Sequence, residues 1–181
     1  MRTLAILAAA AAAFVSTPAL AALVPTGTAC QNTDLVPTAI QCTGFYAGNL
    51  TAAGGPTVQD QIVALSLLGF TWNGTQLEKL ENLNGNQLID FTTLLTGTSY
   101  VSIHFGNGQG GPGNGNSTAF YKLNGGAGLD TFRTVYGASS SAVLYSVSPA
   151  VPEAATWGMM IAGFGVVGGV ARRKRRVAAL V

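Results

Sequence analysis

Charge is what this chain has least of. Asp, Glu, Lys and Arg make up 9% of its 181 residues, against about a quarter in an average soluble domain. Between residues 22 and 148 the basic side chains are Lys79, Lys122 and Arg133, and the acids are Asp34, Asp60, Glu78, Glu81, Asp90 and Asp130. That stretch has no basic stripe, which argues against a nucleic-acid partner, and the net +2 comes from the two ends. Histidine occurs once, as His104, and cysteine twice, as Cys30 and Cys42. Zinc-protease and phosphate-loop patterns are missing, and Ser139-Ser140-Ser141 lacks the G-x-S-x-G elbow. The acids can be paired on paper as a glycosidase dyad, but none has a distinctive setting. The expectation is a protein that is not an enzyme and uses no cofactor and no metal.

What the chain does have is apolar sequence at both ends. Arg2, the alanine-rich run Leu4 to Val15 and the A-x-A site Ala19-Leu20-Ala21 make residues 1–21 a secretory signal peptide, cut before Ala22. Pro18 keeps the scissile segment extended. The apolar run is about twelve residues, short of the roughly twenty that a membrane span needs. Signal peptidase is therefore an expected partner. At the other end, Ala154 to Ala171 carries no charge and Arg172-Arg173-Lys174-Arg175-Arg176 follows at once. A helix over that stretch would be roughly 27 Å long, enough for a thin bilayer. The basic cluster would remain cytoplasmic as a stop-transfer signal, with the preceding domain outside. Gly165 and Gly169 form a G-x-x-x-G pair, which chance explains as well as helix pairing does.

Val151-Pro152-Glu153-Ala154, Trp157 three residues later, the small-residue helix and the basic run together resemble the PEP-CTERM sorting signal, in its PEPxxWA variant. Order, spacing and terminal position all agree. Ala154 replaces the second proline of that pattern, and Gly158 the alanine after tryptophan. The resemblance implies a Gram-negative host and export through its inner membrane. It implies transient anchoring there, then processing by an exosortase-like transpeptidase to a cell-surface or extracellular product. Exopolysaccharide or biofilm is the partner that the resemblance suggests. The chain thus divides into a signal peptide (1–21), an exported β-rich domain (22–148) and a sorting signal (149–181).

In an oxidising compartment, Cys30 and Cys42 favour a disulfide. A metal site would need more ligands nearby, and a redox motif closer spacing. Between these ends, turn formers punctuate short apolar runs, and strands are expected at Thr43–Leu50, Phe70–Trp72, Gln76–Leu80 and Leu88–Leu94. Further strands are expected at Ser99–Phe105, Ser117–Leu123, Thr131–Tyr136 and Ala142–Val147. Val101, Ile103 and Phe105 alternate as on a half-buried strand. Val58 to Leu68 has helical spacing capped by Gly69, although Leu67 leaves a strand open. The fold expected is mainly β: a small antiparallel β-sandwich with one packed helix, plus the signal helix and a C-terminal transmembrane helix. Asn107 to Asn116 reads as an exposed loop.

Two motifs deserve weighing against simpler explanations. Gly125 to Arg133 matches the calcium nonapeptide G-G-x-G-x-D-x-U-x, but neither neighbour repeats it and such sites need stacked turns. A glycine turn before a strand explains it, with an isolated calcium near Asp130 left open. Phe45, Tyr46, Trp72, Tyr100 and Tyr121 could form a sugar-stacking face, yet core packing accounts for most of them. The leading function is a non-catalytic surface or matrix protein. The alternatives are a secreted hydrolase acting on surface polysaccharide, or a surface- or ice-adsorbing protein, though no T-x-T ladder is present.

Overall fold

Residues 23–106, 111–113, 115–137, 139–147 and 159–164 are described by the computed structural model. The strands are β1 (Leu35–Val36), β2 (Gln41–Ala47), β3 (Glu78–Leu80), β4 (Leu88–Phe105), β5 (Ser117–Thr134) and β6 (Ser139–Val147), with helix α1 (Thr57–Leu67) between β2 and β3. All pairings are antiparallel and belong to one six-stranded sheet, ordered β1-β5-β4-β6-β3, with β2 also on β5. Mainly β with one helix therefore holds, whereas the two stacked sheets of a sandwich are replaced by a single sheet.

The reason lies in the two longest strands. Four segments expected as separate strands are fused into β4 and β5, each 18 residues long. Their register shifts between Asp90 and Thr98. At that point a Cβ on Gly125 would lie 2.2 Å from the Leu95 carbonyl oxygen. Glycine permits this close backbone approach, so the pair bulges and bends instead of ending. The glycines that suggested a turn lie within a strand. Ile89, Phe91, Leu95 and Phe132, from the near halves, consequently share one core with Val101, Ile103 and Phe105, from the far halves.

Cross-strand register explains the two cores. Ile103 faces Ala119 and Ala142, and Val101 faces Tyr121 and Leu144, all in the first core. Phe45 and Phe105 pack edge to face with Tyr136 beside them. The intervening residue Ser102 faces Phe120 and Val143, which lie with Tyr145, Trp72 and Tyr100 in a second core containing Ala64, Leu65 and Leu68. Ser99 to Phe105 is therefore buried throughout, not half-buried, because the second core covers the face opposite the first. Phe45 and Tyr46 point into different cores, as successive strand residues must.

Helix α1 ends in a Schellman arrangement. Phe70 N–H donates to the Leu65 carbonyl at 3.0 Å and Gly69 N–H to the Ser66 carbonyl at 3.0 Å. Gly69 supplies the left-handed φ of +79° that this ending requires. Leu67 is 55% exposed, which the helical face dictates. Because the cap turns the chain away, Phe70–Trp72 is a loop and not the strand expected there.

At the N-terminal side, residues 24–30 run along the outer edge of β2. Ala47 N–H donates to Val24, Thr26 N–H to Phe45 and Cys30 N–H to Gly44, at 2.8–3.0 Å. This segment covers an edge that would otherwise be open to pairing. The segment enters near Ala47 and Ser117, whereas β6 leaves the sheet at Val147, opposite Ser99.

Candidate functional sites

The cysteines meet as expected. Cys30 and Cys42 form a disulfide with Cα atoms 6.1 Å apart, pinning the covering segment to the start of β2. His104 is buried on β4. Its Nδ1 lies 3.1 Å from the Ser117 carbonyl oxygen and 3.3 Å from Thr118 Oγ1. The carbonyl requires the proton on Nδ1, and burial lowers the pKa, opposed by that hydrogen bond. A buried imidazole held by a backbone carbonyl is a structural arrangement.

The five candidate stacking aromatics, Phe45, Tyr46, Trp72, Tyr100 and Tyr121, are all buried. Core packing accounts for most of them, as argued from sequence, and Trp72 also lines a surface cleft. Asp130 lies on the exposed side of β5, and the described residues contain no cluster of three or more His, Cys, Asp or Glu able to hold a metal. Ser139 and Ser141 are buried in β6, and Ser141 Oγ lies 2.8 Å from Thr51 Oγ1.

Two buried polar networks escaped the sequence reading. Asp34, 4% exposed, accepts the Gln31 N–H at 2.8 Å and the Tyr136 and Tyr121 hydroxyls at 3.2 and 3.4 Å. Burial and then the Asp34 charge raise both tyrosine pKa values. In the second network Gln61 is fully buried in α1. Its Oε1 accepts the Tyr145 hydroxyl at 2.8 Å, while its Nε2 donates to the Ala52 carbonyl at 2.7 Å. Ser102 Oγ lies 2.9 Å from the Tyr145 oxygen, and burial drives that phenol well upward in pKa. These networks satisfy buried polar atoms, which stabilises a single arrangement of the second core. Asp60 is the exception. Its Oδ1 is buried without a hydrogen-bond partner among the described residues, in the first turn of α1 where the helix dipole favours an anion.

Among the clefts on the surface of the described residues are two of similar size. One, of about 420 Å³, lies between the covering segment and β2, beside the disulfide. The Thr43 and Tyr46 hydroxyls in it bond to each other. The other, of about 400 Å³, lies between the α1–β3 connection and the end of β6.

The signal-cleavage residues Ala19, Ala21 and Ala22 lie outside the described residues. So do the sorting-motif residues Val151, Pro152, Glu153, Ala154 and Trp157, and the basic cluster Arg172, Arg173, Lys174, Arg175 and Arg176. Of the expected transmembrane helix, Met159–Phe164 is described, as exposed helix. No described helix is long and apolar enough to cross a membrane. Sequence comparison, however, reaches this end of the chain: the family model for the PEP-CTERM protein-sorting motif matches residues 150–176. The chain carries a PEP-CTERM protein-sorting motif. The sorting motif makes it an exported protein, handled by an exosortase-type system and sorted to the cell surface. No curated protein and no solved structure matches the chain.

Proposed function

We propose that this PEP-CTERM protein is a non-catalytic component of the cell surface or extracellular matrix, associated with exopolysaccharide. In this reading signal peptidase releases the N-terminus at Ala21. The uncharged segment after Glu153 then holds the chain in the inner membrane, with Arg172 to Arg176 on the cytoplasmic side, until an exosortase-like transpeptidase processes it. The observation that carries the reading is the sorting motif over residues 150–176. The Cys30–Cys42 disulfide supports an oxidising destination. The absence of a catalytic role is supported by where the reactive side chains are occupied: His104 on a backbone carbonyl, Asp34 between two tyrosines, and Glu78 on two strand amides.

Intact mass of the exported protein from its own host, with and without the exosortase, tests this. A product beginning at Ala22 and ending near Glu153, formed only when the enzyme is present, is the expected result. A product that keeps Arg172 to Arg176 in both strains would make the tail a plain anchor and remove the support for a matrix role.

A further inference from the structure

The connection from Phe70 to Leu77 is rich in aromatic, amide and hydroxyl groups and contains no ionisable residue. It forms one wall of the cleft of about 400 Å³, and Tyr145 and Ser146 at the end of β6 form the other. This volume lies within the range of small-ligand sites. The floor is aromatic. Trp72 packs edge to face on Tyr145 at 5.0 Å, and its Nε1 donates to the Thr75 carbonyl at 2.6 Å, which fixes the indole. Phe70, half-buried, stacks parallel on Tyr100 at 4.5 Å. The rim is polar and neutral. Asn73 Oδ1 accepts the Thr75 N–H, which leaves the Asn73 amide N–H groups and the Thr71, Thr75 and Ser146 hydroxyls without hydrogen bonds among the described residues.

This lining discriminates between ligand classes. An anion would need cationic groups and a cation would need carboxylates, and the cleft has neither. An apolar peptide would leave a rim of donors and acceptors unpaired, at a cost to affinity. A sugar ring presents apolar C–H faces and equatorial hydroxyls together, matching an aromatic floor with a neutral polar rim. We infer that this cleft binds a neutral polysaccharide, one residue of which lies over the Phe70–Trp72 floor with its hydroxyls on Asn73 and Thr75. The inference deepens the matrix reading above and rests on it for the ligand being present at the cell surface. The other cleft, beside the disulfide, lacks this character, since its Thr43 and Tyr46 hydroxyls are paired with each other.

Affinity electrophoresis of the purified exported protein provides the test, in gels containing dextran, galactomannan, alginate or the polysaccharide isolated from the host's culture fluid. Retardation by at least one uncharged polymer is expected. Thr75→Ala, which removes an exposed hydroxyl, and Phe70→Leu, which keeps apolar bulk but loses the flat ring, should each weaken it about tenfold. Thr28→Ala in the other cleft should leave it unchanged. Retardation by alginate alone, by no polymer, or equally in wild type and Thr75→Ala would overturn the proposal. Circular dichroism of Phe70→Leu separates loss of the site from loss of the fold. Exosortase-dependent cleavage is read separately by mass, so the cleft can fail while the sorting reading stands.

Discussion

Glu78 offers the sharpest test of how this sheet is held together. The register shift between Asp90 and Leu95 deprives β4 of regular ladder partners just where Thr92 and Thr93 lie. The Glu78 carboxylate on β3 takes their place, accepting the Thr92 N–H at 2.7 Å and the Thr93 N–H at 2.8 Å. Each charge-assisted hydrogen bond contributes about 1.5–3 kcal/mol when buried. Here the side chain is partly exposed and water can replace it, so about 1 kcal/mol per bond is the better figure. Glu78→Ala should therefore cost about 2 kcal/mol and Glu78→Gln, which keeps one acceptor oxygen, about 1 kcal/mol. Glu81, two residues on, pairs with Lys79 at the surface, and Glu81→Ala should change little.

The pH dependence has a definite sign. Burial raises the Glu78 pKa, but the hydrogen bonds from Thr92 and Thr93 outweigh it and hold the carboxyl below its ordinary 4.5. A depressed folded-state pKa contributes stability that is fully present above the unfolded value and is lost as pH falls through the folded one. Urea unfolding of wild type and Glu78→Ala should show the full difference near pH 7 and a shrinking difference below about pH 4, with unchanged m-values. A Glu78→Ala variant as stable as Glu81→Ala at neutral pH, or a difference that persists undiminished at about pH 2.5, would refute the reasoning.

Further outcomes follow from other contacts. Gly125→Ala should destabilise by about 3 kcal/mol or prevent folding, because its Cβ would meet the Leu95 carbonyl oxygen at 2.2 Å. Gly126→Ala meets nothing within 4 Å and has only its φ of +58° against it, so about 1 kcal/mol is expected from the same denaturation assay. Reducing the Cys30–Cys42 bond, which spans 12 residues, should cost about 3 kcal/mol. It should also speed hydrogen exchange at the Thr26 and Cys30 amides. Gln61→Leu should cost about 2 kcal/mol by leaving the Ala52 carbonyl unpaired and removing the acceptor of the Tyr145 hydroxyl, which keeps only its contact with Ser102 Oγ. Adding Tyr145→Phe should recover part of that loss, a coupling a double-mutant cycle would measure.

Features that are local in sequence were legible there. Val101, Ile103 and Phe105 declared a strand face, the Val58 to Leu68 spacing declared a helix, and the sorting tail was readable residue by residue. The fusion of four expected segments into two long strands was not legible. A glycine cluster marks a turn and a bulge alike, and only the approach of Gly125 to Leu95 distinguishes them. The two-residue strand β1 carries no periodicity to detect. Asp34 and its tyrosines are 87 and 102 residues apart, and Gln61 and Tyr145 are 84 apart, so nothing near either residue announces its partner. The cleft at Phe70 to Leu77 was hidden because its aromatics fit a short strand equally well, until the cap at Gly69 turned the chain.

The strand nearest the sorting tail, β6, lies between β4 and β3 in the interior of the sheet. A pull entering at Val147 along the strand axis must slide β6 past both neighbours at once, loading every rung from Ser99–Val147 to Phe105–Ser139 together. A tail joined to an edge strand could be peeled off one rung at a time. Force applied through the end of β6 would thus meet its ladders in shear, the geometry in which a ladder of weak bonds is strongest.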